Sequence, residues 1–369
     1  MRQIYIWQKE GWPNFRWDSA VLMDKLARVR NLQGQFTGVL EMLGFDMRSA
    51  ASLEALTADI TKSSEIEGVI LDTHSVRSSI AKHLGLPVDL KGQESHYIDG
   101  IVQVMLDATH NANEKLTPER LFGWHAALFP SGYNGLYKIS IGQWREGEEP
   151  MQVVSGAWGK QKVHYEAPPS SAMESEMRQF LDWINSDGEI DPVIKAAIAH
   201  LWFVAIHPFD DGNGRITRTI TDMMLARADG MPQRFYSMSA RICRRKNEYY
   251  EILEKTQRGD MDITPWLDWF LDTLMAALTD AQETVNRIIQ KSKFWEEYRG
   301  VITNVRQIKI INLLWDGFDG KLTSSKYAKI TKCSADTALN DINDLISKGV
   351  LIRNPGGGRS ASYSLPPTL

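Results

Sequence analysis

Along most of the chain, apolar positions recur at intervals of three and four residues, the spacing of a helix with one buried face. Val21, Leu22, Leu26, Val29 and Leu32 share such a face behind Asp18, a side chain able to cap the first free N–H groups. The same pattern predicts a helix from about Arg48 to about Ile66, and others around Thr73–Leu84, Glu94–Asn111, Pro118–Phe129 and Ser171–Ile184. It continues through apolar Pro192–Ile206, whose proline suits a first helical turn, amphipathic Arg215–Ala228, and a long helix from Pro265 to about Tyr298. Strand signal is sparse. In MQVVSGAWGKQKVHYEAPP, Val153–Val154 and Val163–Tyr165 flank a Gly-bounded turn, which predicts a β-hairpin.

Near residue 300, YRGVITN reads as a linker. Three short helices and GVLIRNPGGGRSASYSL follow, and two short strands around a Gly-rich turn behind a helix-turn-helix form the pattern of a winged helix. The expected fold class is mainly α, in segments 1–60, 61–299 and 300–369. Trp7, Trp12 and Trp17 make the first segment aromatic-rich, and they are expected to build a small core there.

Composition narrows the class. The 369 residues carry a formal net charge of −4, with 43% apolar and 24% charged residues. These values fit a globular chain and exclude a general polyanion binder. Two cysteines, Cys243 and Cys333, exclude a disulfide scaffold and a cysteine zinc site, and fit a reducing cytoplasm. The start has no signal-peptide core, and AAIAHLWFVAI is too short to span a bilayer. A cytoplasmic protein with no membrane partner is expected.

The chemistry lies in HPFDDGNGRITR, His207 to Arg218, between an apolar helix and the next one. Gly212, Asn213 and Gly214 suit a tight loop that aligns several backbone N–H groups, and such a nest feeding a helix N-terminus binds phosphate. Arg215 and Arg218 share a helix face, and cations at a positive helix end make sense when an anion sits between them. Asp211 is an oxygen donor suited to a phosphate-bound magnesium ion, and His207 is the nearby base. Read alone, DGNG is an ordinary turn; the twelve residues together are what point to phosphate. No GxxxxGK[ST], no strand-borne GxGxxG and no HExxH occurs. His200 reads as a core histidine, and Phe209 as an apolar anchor of the loop.

The string resembles the signature HPFx[DE]GNGRxxR of Fic-domain proteins, helical proteins of which most transfer AMP from ATP to a hydroxyl of a target protein. The resemblance covers roughly residues 60 to 275. It implies that His207 deprotonates the target hydroxyl, that Asp211 binds Mg²⁺, and that ATP contacts fall on Gly212, Asn213, Gly214, Arg215, Ile216, Thr217 and Arg218. It makes the hairpin a flap on which Val153 and Val154 dock the target segment by strand addition. RRKNEYYEILEKTQRGD resembles the adenine-side helix, which places Tyr249 and Tyr250 at the base, with Asn247 and Gln257 as weaker candidates; core packing is the other reading of the two tyrosines. Upstream, SSEIEG matches the family's inhibitory pattern [ST]xxxE[GN] with Ser63 and Glu67, implying that Glu67 pairs with Arg218 where the γ-phosphate belongs. The segment before it resembles an uncharacterised N-terminal domain of some bacterial Fic proteins.

The expected activity is therefore that of a Mg²⁺- and ATP-dependent protein adenylyltransferase, autoinhibited by Glu67 and capable of self-modification. Removal of AMP from targets is an alternative, as is a DNA-binding regulator with an ATP-sensing core. Residues 321–369 hold seven cations against the three anions Asp336, Asp341 and Asp344, so a weak DNA contact is conceivable. The candidate recognition helix, however, carries all three anions and no arginine, the usual base reader. Such modules also dimerise, and a homodimer is a further expected partner.

Overall fold

The computed structural model describes residues 4–87, 95–156, 161–231, 233–318, 320–355 and 361–366. The chain divides into two compact units, Met1–Gln282 and Glu283–Leu369. In the first, a short 3-10 turn at Ile6–Gln8 precedes α1 (Ser19–Glu41), α2 (Phe45–Ile66), α3 (Thr73–His83), α4 (His96–His110) and α5 (Pro118–Leu128). Two antiparallel hairpins follow, β1 (Tyr133–Asn134) with β2 (Tyr137–Lys138), and β3 (Gln152–Ser155) with β4 (Lys162–Glu166). Then come α6 (Met173–Asn185), α7 (Pro192–Ile206), α8 (Asn213–Asp229), α9 (Met238–Arg244), α10 (Lys246–Arg258) and α11 (Thr264–Tyr298), the last of which carries the chain into the second unit.

The helices begin where capping chemistry says they should. Asp18 accepts from the N–H groups of Ala20 and Val21 at 2.9 and 3.3 Å and opens α1. Asp191 caps α7 in the same way, with Pro192 as its first residue. Every residue of α7 from Val193 to Ile206 except Lys195 is buried, as an all-apolar helix requires. It packs against α8, which is polar in sequence yet buried at Asn213 and from Arg215 to Ala226. Three threonines resolve the conflict by bonding their own helix: Thr217 donates to the carbonyl of Asn213, Thr219 to Arg215 and Thr221 to Thr217, at 2.7–3.1 Å. Farther along, buried Arg234 bridges Asp222 and Asp229 at 2.9 and 3.1 Å.

The expectation of a small core built by the N-terminal tryptophans is corrected. Trp7 and Trp12 pack on a cluster formed by Tyr5, Tyr165, Ala167 and Ala205. Trp7 Nε1 donates to the carbonyl of Glu166 at 2.7 Å, and Trp12 Nε1 to Glu176 at 2.9 Å. These rings thus lie against β4, α6 and α7, where each indole N–H finds an acceptor.

The second unit holds α12 (Val305–Trp315), α13 (Ser324–Thr331), α14 (Ala335–Ser347) and the antiparallel pair β5 (Ile352–Arg353) and β6 (Tyr363–Ser364). Its core is built on Ile310, Ile311, Leu322, Tyr327, Ile342 and Leu345. Most of the Gly-rich turn and Arg359 lie outside the described residues. Asp341 of α14 faces inward, accepting from Arg306, Asn304 and the Tyr327 hydroxyl at 2.7–3.1 Å. Among the described residues, no helix is long and apolar enough to cross a membrane.

Candidate active site

The join between α7 and α8 is built backbone first. His207 ends α7 in the left-handed region, at φ 52° and ψ 60°, an uncommon conformation for a non-glycine residue. Buried Arg145 holds it there. Its backbone N–H donates to Pro208 and its Nε to the carbonyl of His207, both at 2.8 Å, and its guanidinium also donates to the carbonyl of Pro168. Phe209 is fully buried and stacks on His125 at 4.2 Å, the anchor the sequence suggests. Asn213 closes the loop on itself: its Oδ1 accepts from the N–H of Phe209 at 2.9 Å and its Nδ2 donates to the same residue's carbonyl at 2.7 Å. Gly212 has φ 79°, and a Cβ there would meet the Phe129 ring at 2.8 Å, so glycine is required on two counts.

His207 Nδ1 lies 3.2 Å from the carbonyl of Val204. A carbonyl only accepts, so Nδ1 carries the hydrogen and Nε2 keeps its lone pair. Burial pushes the imidazole pKa down to about 4; the Val204 bond opposes this and the Arg145 charge adds to it. The ring is therefore neutral near pH 7, the state a general base needs.

The helix N-terminus beside it already holds a carboxylate. Arg218, almost wholly buried, donates to Glu67 Oε1 at 2.7 Å. Its Nε and Nη2 donate to the hydroxyl and carbonyl of Ser63, both at 2.9 Å. Glu67 Oε1 also lies so close over Gly214 that a Cβ at that position would overlap it. Burial alone would raise the Glu67 pKa, but the charge and hydrogen bond of Arg218, with Arg215 and Lys246 behind them, hold it below the usual carboxylate range. Arg215 lies over the Phe129 ring at 4.7 Å and donates to the Tyr97 hydroxyl at 3.0 Å, while its buried Nε has no partner among the described residues.

Asp211 accepts from the N–H of Gly212 and from the side chain of Asn134, and its carbonyl lies 3.2 Å from His125 Nε2. Among the described residues, no three His, Cys, Asp or Glu side chains gather as a metal cage. A magnesium ion carried by phosphates needs only one or two protein carboxylates besides water. Asp211, beside the glycine-rich turn, fits that donor set.

The structure thus brings Ser63, Glu67, His207 and the loop from Asp211 to Arg218 into one place. Ile216 and Thr217 belong to the same turn, but their side chains are buried, Ile216 in the core and Thr217 on the Asn213 carbonyl. The two tyrosines part company. Tyr249 is buried, with its hydroxyl 2.9 Å from His200 Nε2, and His200 Nδ1 lies 2.8 Å from Thr221. His200 is a core histidine, held neutral by burial with its pKa pushed down to about 3. Tyr250 is 40% exposed, and burial followed by the Glu67 charge pushes its hydroxyl up to about 12.

In the larger hairpin, Val153 pairs with Tyr165 and Val154 with Val163, with an irregularity between the two steps. Val153 is half-buried and Val154 exposed. Among the described residues β3 pairs only with β4, so its outer edge is open. Behind it, Tyr165 donates to the carbonyl of Ala205 in the last turn of α7 at 2.7 Å.

Four residues of the site escape sequence reasoning: Arg145, Asn134, Tyr97 and Lys246, which donates to the carbonyl of Ile66 at the end of α2. Only Asn134 had a local signal, the Asn-Gly turn of β1–β2.

Comparison with known proteins places part of the chain beside a family. Residues 115–225 match a model of the Fic/DOC family, and residues 5–86 match a domain of unknown function, DUF4172. Protein adenylyltransferase fic-1 of Caenorhabditis elegans is 36% identical over 95 residues, covering 25% of this chain and 17% of that protein. Protein adenylyltransferase Fic of Nematostella vectensis is 38% identical over 96 residues, covering 26% of this chain and 21% of its own. The chain thus spans about a fifth of the length of these relatives. The crystal structure of a Fic family protein from Desulfovibrio desulfuricans G20 superposes with a TM-score of 0.53 at 21% identity, covering 94% of this chain and 96% of that one, a likeness of fold.

Proposed function

We propose that this chain, which carries a Fic domain, is a protein adenylyltransferase that moves AMP from ATP to a Ser, Thr or Tyr hydroxyl of a target protein, and that Glu67 restrains it. The observation that carries the reading is the Glu67 carboxylate lying over Gly214 against Arg218. It marks the turn as an anion seat, and an unprotonated His207 belongs to the same turn.

The target hydroxyl gives its proton to His207 Nε2 as its oxygen attacks the α-phosphorus and pyrophosphate leaves. The N–H groups of Gly212, Asn213 and Gly214 receive phosphate oxygens, while Arg215 and Arg218 hold the β- and γ-phosphates. Asp211 would hold a magnesium ion, which when bound supplies neutralisation of phosphate charge. Ile216 and Thr217 contribute by building the turn. Tyr250 is the base-side candidate, and buried Tyr249 supports it from the core. The open edge of β3, at Val153 and Val154, would receive the target segment as an added strand. The segment from residue 300 is read as a winged-helix-like domain. A DNA-binding role for residues 321–369 has weaker support, since α14 contains no Lys or Arg. Two unpaired cysteines fit a reducing, cytoplasmic setting.

The test is Glu67→Gly incubated with ATP labelled at the α- or the γ-phosphate. A charge-assisted hydrogen bond contributes about 1.5–3 kcal/mol, so transfer of the α-label is expected to rise about tenfold to a hundredfold. Glu67 is the C-cap of α2 rather than an interior helical residue, so glycine there should cost less than the roughly 1 kcal/mol of a mid-helix position. Label from the γ-position would mean phosphorylation. A folded variant no faster than wild type would remove the restraint, and one that loses an AMP-removing activity would make the reverse reaction the better description.

A further inference from the structure

The end of α2 meets the two arginines of the α7–α8 turn in different ways. Arg218 is held directly, by Ser63 and Glu67. Ser64 lies between those two residues, and neither the turn nor the restraint uses it. It is 1% exposed, and its hydroxyl has no hydrogen-bond partner among the described residues. A buried hydroxyl in a helix ordinarily turns back to the carbonyl one turn earlier, as Thr57 and Thr61 of the same helix do at 2.6 and 2.7 Å. Ser64 does not. Arg215 is 7% exposed, and its Nε–H is left over in the same way.

Both side chains line one small cavity of about 20 Å³ between α2, α4, α5 and α8. Ile60, Ile101, Val104 and Leu128 form apolar walls, and Thr219 adds a hydroxyl. A single water needs roughly 10–15 Å³ and two to four polar partners. The cavity offers both. Ser64 can donate or accept, and the Arg215 Nε–H donates. The Thr219 hydroxyl, which donates to the carbonyl of Arg215 at 3.1 Å, has lone pairs that can accept.

We propose that this cavity binds one structural water joining Ser64 to Arg215, and that Ser64 is thereby a positioning residue for the phosphate-binding fork of Arg215. This rests on the reading of the turn as the seat of the ATP phosphates. The water accepts from Nε–H and donates to the hydroxyls of Ser64 and Thr219. The guanidinium is then fixed at Nε by the water, at Nη1 by Tyr97 and across its face by Phe129. Both hydrogens of Nη2 and the second of Nη1 are left for a phosphate. A bridging water is nearly as strong as a direct bond, so the link can hold the fork in place. Neighbouring residues of one helix end thus act in opposite senses: Glu67 competes with phosphate at Arg218, whereas Ser64 prepares Arg215 to receive it.

The experiment uses the full chain bearing Glu67→Gly, so that the restraint does not mask nucleotide binding. Calorimetric titration with magnesium present gives the dissociation constants of ATP and AMP. Ser64→Ala removes the anchor of the water, and Val104→Ile puts a methylene group in its space. Each is expected to weaken ATP about two- to tenfold. AMP should be unaffected, because it lacks the phosphates that Arg215 holds. The double variant should bind ATP no more weakly than the weaker single variant, since the water can be lost only once. A crystal structure should show the water within hydrogen-bonding distance of Ser64 Oγ and Arg215 Nε. Ser64→Ala removes one oxygen atom and carries the test alone should Val104→Ile fail to fold, with thermal unfolding as the check. Unchanged ATP affinity in folded Ser64→Ala, or equal weakening of ATP and AMP, overturns the positioning role. A dry cavity in the crystal structure overturns the water. Both results leave the enzyme reading intact. The expected affinities without AMP transfer to any protein overturn the adenylyltransferase reading and support Ser64 as a positioning residue for bound phosphate.

Discussion

The turn from His207 to Arg218 and the hairpin from Gln152 to Glu166 serve one proposed reaction and are built in opposite ways. In the turn, the groups that fix its shape are buried and tied to backbone: Arg145 to three carbonyls, Asn213 to both sides of Phe209, Arg218 to Ser63. In the hairpin, one strand edge is open and the ties that fix it come from side chains on its back, Tyr165, His164 and Arg258. Phosphoryl chemistry requires a fixed distance between base and phosphorus, whereas docking a peptide requires an adaptable edge.

The largest effect should come from the turn. His207→Ala is expected to lower transfer about 10²- to 10⁴-fold while ATP still binds, because phosphate affinity comes from other groups. In the intact protein, the rate should stay level from neutral pH downward and fall only toward the His207 pKa of about 4, where the base becomes protonated. Near wild-type labelling by a folded variant would break the assignment.

A smaller effect is expected from the hairpin. Val153→Asp places a charge on the half-buried residue of the docking edge. It should raise KM for a protein target about tenfold, the equivalent of roughly 1.4 kcal/mol, and leave KM for ATP unchanged. Kinetics with each substrate varied separately make the measurement. An equal rise in both constants would mean that the two regions are not separable.

The last effect concerns stability. His200 is buried neutral with a pKa of about 3 against 6.5 in an unfolded chain. Below pH 6.5 the unfolded chain binds the extra proton, so stability is complete above that value and falls as pH drops toward 3, by about 1.4 kcal/mol per unit. His200→Gln should be less stable at pH 7 but should show a shallower loss between pH 6 and 4 in denaturant titrations. An unchanged slope would place the acid sensitivity elsewhere.

Most helices were legible because their faces are long and periodic and their caps are local. Asp18 and Asp191 mark α1 and α7, and the predicted span Pro192–Ile206 matches α7 residue for residue. Helix α8 begins at Asn213 rather than Arg215, because the Asn213 side chain stabilises the turn from within. The β1–β2 hairpin and α9 were missed: strands of two residues have no alternation to read, and seven residues make too short a helix to show a period. The twelve-residue string marked the turn proposed to seat phosphate, whose parts are adjacent in sequence. Arg145 and Lys246 could not be read, since their partners are backbone carbonyls far away in the chain and a carbonyl leaves no mark on a sequence. Tyr249 and Tyr250 are neighbours in one amphipathic run, and only tertiary packing determines which of them turns inward.

The carboxylate over Gly214 belongs to the segment matched at residues 5–86, whereas the glycine belongs to the segment that matches the Fic/DOC family at residues 115–225. In the proposed reaction, Glu67 is therefore a competing ligand on a tether, present at an effective concentration set by the fold rather than by the cell. Productive binding of ATP draws only on the fraction of molecules in which that ligand has let go, and the apparent dissociation constant rises as that fraction falls. A bond of about 1.5–3 kcal/mol displaces the response to ATP by roughly one to two decades. On that proposal, the strength of a single tethered carboxylate sets the nucleotide level at which transfer begins.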